Sequence, residues 1–199
     1  MLIVLSGTGR VGKDTAAGII KNIFISNSET CVTIAYADFL KEILSKCFNL
    51  TAEHLYGDLK EVPVDFLPIR TRSGKITNHL WTPRKLLQFL GTDVLRTIDP
   101  ECWINVVKNF IDNTSYDNYV ITDARFDNEV EWVLVRGGIQ LHITREDKDF
   151  VGGSEHASEN SLSNTAVSDA YYHIENDKDL VHLESTLLTI IDKEKDNGR

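Results

Sequence analysis

Residues 2–15, Leu-Ile-Val-Leu-Ser-Gly-Thr-Gly-Arg-Val-Gly-Lys-Asp-Thr, constrain the fold more than any other stretch of the chain. Residues 2–5 are apolar and read as a short buried strand. A turn follows from Gly7 to Gly12-Lys13, and a helical pattern starts at once with Thr15, Ala16, Ala17, Ile19, Ile20, Ile23 and Phe24. Strand, glycine loop, lysine and helix in that order make a P-loop. Gly7, Gly9 and Gly12 let main-chain N–H groups approach an anion closely. The first turn of a helix adds unpaired N–H donors at the positive end of its dipole. Arg10, Val11, Asp14 and Thr15 complete the loop, and Lys13 is the residue that reaches β and γ phosphates. The spacing Gly7-x4-Gly12-Lys13 fits the motif. Asp14 stands where a Ser or Thr usually contacts magnesium, and the hydroxyl comes one residue later at Thr15. The competing reading is a glycine-rich turn without a ligand.

The surface charge narrows the partners. The formal net charge is −9, so the surface as a whole repels nucleic acid and anionic membrane. An anionic substrate then needs a local basic cluster. With 199 residues, 42% hydrophobic and 26% charged, the chain suits one domain with an inserted covering segment. Cys31, Cys47 and Cys102 are odd in number and lack metal spacing, which suits core thiols of a reducing cytoplasm. The sequence shows no signal-peptide pattern and no apolar run of membrane-spanning length.

Further strands and helices alternate along the chain. Residues 31–36 read as a second buried strand, followed by Asp38 and then Phe39, Leu40, Ile43, Leu44, Cys47 and Phe48 at helical spacing. Asp38 is either the N-cap of that helix or a carboxylate facing a nucleotide at the sheet edge. Residues 51–82 read as irregular, with Arg70, Arg72 and Lys75 around a turn. They make a solvated loop or a substrate-covering segment. Thr82-Pro83 opens a helix, on which Arg84, Gln88, Thr92 and Arg96 recur every four residues. That stripe suits a phosphate plus a base, or a solvated polar face. Gly91 sits mid-helix at a cost, which a close approach of backbone or ligand would explain.

Residues 119–122 read as a third strand ending in Asp123, the Walker-B arrangement of a carboxylate that serves Mg²⁺. Its alternative role is the cap of the next helix, over 126–135. Residues 139–144 form a fourth strand with Arg145 at its end, and 171–174 a fifth, before a last amphipathic helix. The polar stretch 146–169 suits a lid, in which His156, Ser158 and Glu159 contact a base or stay solvated. Five strands alternating with helices predict a three-layer α/β fold: a mainly parallel five-stranded sheet with helices on both faces. Right-handed crossovers then bring the P-loop, Asp38, Asp123 and Arg145 to one edge.

Taken together, SGTGRVGKDTAA, ADFLKEIL, TPRKLLQFLGTDVLR, Trp103, ITDARFDNEVEWV, LHITR and EHASE resemble the bacteriophage deoxynucleoside monophosphate kinases, relatives of adenylate and guanylate kinases. The combination of GKDT with R-x3-Q-x2-GT-x3-R and D-x-R-x3-E carries the resemblance. It implies transfer of the ATP γ-phosphoryl group to a deoxynucleoside 5′-monophosphate, with ATP and Mg²⁺ as cofactors. It places ATP phosphates on residues 7–15 and makes Lys13, Arg125 and Asp38 the catalytic groups. It assigns the monophosphate to Asp38, Lys41, Arg70, Arg84, Gln88, Thr92, Arg96, Trp103, Asp123 and Arg125. Mg²⁺ falls to Asp14, Thr15 and Asp123. Partners are then small nucleotides rather than nucleic acid or membrane, in a cytoplasm (the host's, for a phage protein), and a homodimer is compatible. The rivals are a P-loop kinase of another phosphorylated acceptor, of phosphomevalonate or dephospho-coenzyme A type, and a non-catalytic nucleotide-binding switch.

Overall fold

The structure, a computed structural model, describes residues 1–146, 162 and 169–199. In chain order its elements are β1 (Leu2–Ser6), α1 (Lys13–Ser26), β2 (Cys31–Ile34), α2 (Asp38–Phe48), α3 (Ala52–Tyr56), a 3-10 turn (Asp58–Glu61), β3 (Pro68–Arg70) and β4 (Ile76–Leu80). There follow α4 (Pro83–Gln88), a π-helix (Phe89–Leu95), α5 (Arg96–Ile98), α6 (Cys102–Asp112), β5 (Asn118–Ala124), α7 (Asp127–Val135), β6 (Ile139–Thr144), β7 (Tyr171–Glu175) and α8 (Leu180–Asp196). They gather into two compact units, Met1–Tyr36 with Ile104–Arg199, and Ala37–Trp103. The second unit contains the segment 51–82, and residues 37–103 bury apolar groups of their own, among them Leu40, Leu44, Leu50, Leu55, Val64 and Leu86.

In the first unit β1, β2, β5, β6 and β7 form a fully parallel sheet in the order β2-β5-β1-β6-β7. Ile3, Leu5, Ile139, Leu141 and Ile143 join Ile20 and Phe24 of α1 and Leu187 and Ile191 of α8 in one buried cluster. Each such side chain removed from water stabilises the fold by about 1.5–3 kcal/mol. Val4, Ile121, Val130 and Val133 are buried outside that cluster, and α7 packs against β1 and β6. Helices therefore cover both faces, as alternating strands and helices predict.

The topology also locates an edge for ligands. β1 and β5 are neighbours, with Leu2 opposite Tyr119 and Ser6 opposite Ala124. Their following helices, α1 and α7, leave to opposite faces. Adjacent parallel strands connected in this way open a crevice beyond their carboxyl ends. Gly7 follows β1 there, and Asp123 stands one residue before the end of β5 beside it.

In the second unit the stretch 51–82 is more ordered than its sequence suggests. It holds α3, the 3-10 turn and the β3–β4 hairpin, whose turn is tied by Thr71 N–H to the Lys75 carbonyl and Gly74 N–H to the Thr71 carbonyl, both at 2.9 Å. Thr82 does cap α4, accepting from Lys85 N–H at 3.2 Å, with Pro83 in the first turn. The expected continuous α-helix does not persist. At Phe89 the ladder widens to the i→i+5 bonds of a π-helix, so Arg84, Gln88, Thr92 and Arg96 lose the strict four-residue stacking. A side chain explains Gly91: a Cβ there would lie 2.7 Å from Leu40 Cδ2. Asp38 is the first residue of α2, and Ala37 holds the cap position, so Asp38 is not the N-cap.

Candidate functional site: a phosphate loop and its neighbours

The glycine loop is shaped by contacts from strands far away in sequence. Gly7 has φ 136, and a Cβ on it would lie 2.2 Å from the Ile143 carbonyl oxygen. Gly12 has φ 98, and its Cβ would lie 2.4 Å from Nδ2 of Asn176. Arg10 also takes a left-handed φ of 64, while buried Val11 anchors the loop to the core. The first bond of α1 runs from Ala16 N–H to the Gly12 carbonyl at 2.9 Å. The N–H groups before it lie ahead of the helix ladder, which is where an anion is received. Asp14 and Thr15 are exposed on the first turn. The Lys13 ammonium folds back over the loop, donating to the Gly7 carbonyl at 2.8 Å and the Thr8 carbonyl at 2.6 Å. An anion in the loop therefore finds a cation already held above it.

At the end of β5, Asp123 accepts from Tyr36 N–H at 2.6 Å. The Tyr36 hydroxyl donates to the Glu129 carbonyl at 3.1 Å. The Glu129 carboxylate is buried and accepts from Arg125 N–H at 2.8 Å and Phe126 N–H at 3.1 Å. Glu129, not Asp123, thus closes the start of α7. Beneath the loop, Ser6 Oγ shares a 3.0 Å hydrogen bond with His142 Nδ1 and accepts from Gln140 Nε2 at 2.9 Å. Burial first, then His173 and Lys13, hold His142 below the usual histidine value. Arg145 is exposed at the end of β6. His156, Ser158 and Glu159 lie outside the described residues.

The second unit carries a separate polar set. Lys41 pairs with Asp38 at 3.3 Å and sits 4.2 Å above the Tyr56 ring. Burial, with Asp38 behind it, pushes the Tyr56 phenol up. Arg84 forms an ion pair with Glu61. Arg84, Gln88, Thr92 and Arg96 are all half-buried. Arg70 is exposed on the hairpin, with Nη1 donating to the Gly74 carbonyl at 3.3 Å. Trp103, expected at the substrate, is buried and gives its indole N–H to the Gly91 carbonyl at 2.9 Å. Its place is that of a brace beneath the π-helix.

The model of the deoxynucleotide monophosphate kinase family matches residues 56–187, about two thirds of the chain. The chain belongs to that family. It is therefore a kinase, a phosphotransferase that acts on small nucleotides. A deoxynucleotide monophosphate kinase homologue of Acanthamoeba polyphaga mimivirus is 27% identical over 209 aligned positions, covering 96% of each chain. The deoxynucleotide monophosphate kinase of Escherichia phage RB69 is 30% identical over 57% of this chain and 46% of its own. That of Enterobacteria phage T4 is 28% identical over 46% of this chain and 40% of its own. The chain thus aligns with less than half the length of the two phage kinases.

The match to this kinase family begins downstream of the glycine loop, so the loop stands on its own geometry. Within the first unit the structure brings Gly7, Lys13, Asp123 and Arg125 to one sheet edge. Asp38, Lys41, Arg70, Arg84, Gln88, Thr92 and Arg96 belong to the second unit. Sequence reasoning gave no role to Asn176, His142 and Gln140, and took Glu129 only as the last residue of D-x-R-x3-E. Glu129 had a readable signal, three residues into a helix start. Asn176 had only its place after a strand. Among the described residues no helix is long and apolar enough to cross a membrane.

Proposed function

We propose that this kinase transfers the γ-phosphoryl group of ATP to a deoxynucleoside 5′-monophosphate, giving the diphosphate and ADP. The observation that carries the donor half is the Gly7–Lys13 loop at the β1/β5 edge, with the Lys13 ammonium poised over it. Family membership carries the choice of acceptor.

In this reading residues 7–15 bind the ATP phosphates through main-chain N–H groups. Lys13 exchanges the Gly7 and Thr8 carbonyls for phosphate oxygens and neutralises charge on the transferring group. The acceptor is already an anionic phosphate, so no strong general base is needed. Positioning and charge neutralisation account for the rate. Arg125 assists at the reacting phosphates, and Asp38 acts near the acceptor. Arg84, Gln88, Thr92, Arg96, Arg70 and Lys41 hold the monophosphate, with Trp103 supporting that segment from beneath.

A magnesium ion fits the residues present. The described residues contain no cluster of three or more His, Cys, Asp or Glu that could cage a metal. Mg²⁺ commonly takes one or two protein oxygens and completes its shell with phosphate and water. The exposed Thr15 hydroxyl and Asp14 carboxylate, with Asp123, would hold it, and it would supply charge neutralisation across the β and γ phosphates. We also place the enzyme in the cytoplasm, working on small nucleotides without nucleic acid or membrane.

A coupled ADP-release assay across deoxy- and ribonucleoside monophosphates tests the reading. ATP turnover that depends on an added deoxynucleoside monophosphate is the expected result. Turnover only with phosphomevalonate or dephospho-coenzyme A would transfer the activity to another acceptor. Binding of ATP without turnover on any acceptor would leave a nucleotide switch.

A further inference from the structure

We propose that Asn176 is a positioning residue of the phosphate loop: its side-chain amide holds the Val11 carbonyl outward and so aims the Gly12 N–H at the bound phosphate. Asn176 follows β7 at the carboxyl edge of the sheet. Its backbone N–H donates to the Thr144 carbonyl at 2.7 Å, so the last rung between β6 and β7 fixes its Cα. Its Nδ2 donates to the Val11 carbonyl at 2.8 Å. The Val11–Gly12 peptide is planar and trans, as no cis bond occurs among the described residues. In such a unit the C=O and the next N–H point in opposite directions. A carbonyl pinned to Asn176 therefore turns the Gly12 N–H to the other side of the loop.

A second observation ties the same two residues together. A Cβ on Gly12 would lie 2.4 Å from the Asn176 Nδ2, and the φ of 98 at Gly12 is one that side chains rarely adopt. The missing side chain of Gly12 makes room for the amide of Asn176, and the amide holds the conformation that Gly12 permits. Without the bond, the Val11–Gly12 peptide can rotate and present its carbonyl oxygen to a phosphate, which repels it. An aspartate keeps the shape of Asn176 but lacks the donor, and its charge faces the same carbonyl.

The proposal rests on the reading of the loop as the ATP site. The test is titration calorimetry with MgATP on the whole chain, plus steady-state kinetics, for wild type, Asn176→Ala and Asn176→Asp. Asn176→Ala should weaken ATP binding about tenfold, the loss of one hydrogen bond to a loop carbonyl. Asn176→Asp should weaken it further. KM for the monophosphate and the melting temperature should stay at wild-type values. Wild-type ATP affinity in Asn176→Asp would mean that shape alone matters and would overturn the donor role. Equal affinity in all three proteins would overturn it too, as would a joint rise of both KM values with a lower melting temperature. A wild-type chain that binds no MgATP instead removes the donor-site reading itself, which the first titration distinguishes.

Discussion

The indole N–H of Trp103 reaches the Gly91 carbonyl at 2.9 Å, inside a buried contact beneath the π-helix. This bond braces the widest turn of the second unit from below. Replacing Trp103 with Phe keeps most of the apolar surface and removes the donor. We expect a loss of about 1–3 kcal/mol, the cost of stripping a partner from a buried carbonyl. Urea unfolding midpoints measure it. An unchanged midpoint would show that the bond contributes nothing.

Gly7 has room for no side chain. Gly7→Ala sets a methyl against the Ile143 backbone carbonyl, which has no flexible end to yield, and strains a φ of 136 as well. The variant should lose several-fold in ATP affinity and at least about 2 kcal/mol of stability. Thermal melting and MgATP titration check both.

Lys13 behaves differently, because its ammonium bonds to the Gly7 and Thr8 carbonyls of the loop itself. Lys13→Ala should lose about a thousandfold or more of turnover, the scale of removing a cation from a phosphoryl transition state. Its melting temperature should stay close to wild type. Turnover within tenfold of wild type would remove Lys13 from the reacting phosphates.

Arg84 shares its charge with Glu61. Arg84→Ala should raise KM for the monophosphate about tenfold or more while leaving KM for ATP in place. Glu61→Gln should move KM for the monophosphate the other way, since it releases a competing anion. Steady-state kinetics with each substrate varied separates the two.

His142 sets a pH dependence. Its pKa is held below the ordinary value of 6.5, so the native chain takes up this proton less readily than the unfolded chain. As pH falls through about 6.5 the unfolded state gains protons first, and stability drops until the native pKa is passed. His142→Asn removes that contribution. The fall in melting temperature between about pH 7.5 and pH 5.5 should be smaller in the variant than in wild type.

What could be read in advance was local. Residues 2–15 are contiguous, and their motif names both the strand and the helix around it. Asp123 was legible because an apolar run ends beside it. The shape of the loop was not, because Ile143 and Asn176 meet Gly7 and Gly12 only through the register of β6 with β1 and of β7 with β6. The π-helix was hidden for another reason. Apolar spacing over residues 83–98 reports which side faces inward, not whether the ladder closes at four residues or five. The packing of Leu40, Leu44 and Leu86 within residues 37–103 was hidden as well, because the sequence carries no linker at 37 or 103.

Two of the helices that follow strands of the parallel sheet, α1 and α7, differ in one respect. The start of α7 already holds an anion of its own, the carboxylate of Glu129, which is 3% exposed and takes the N–H groups of Arg125 and Phe126. The start of α1 has no side-chain cap, and its nearest acid, Asp14, stays in solvent. A negatively charged visitor thus meets one socket stoppered from within and one left open. On the proposed reading of the loop, the carboxylate spent at α7 leaves α1 as the start that can receive a phosphate, on a chain whose net charge of −9 otherwise repels one.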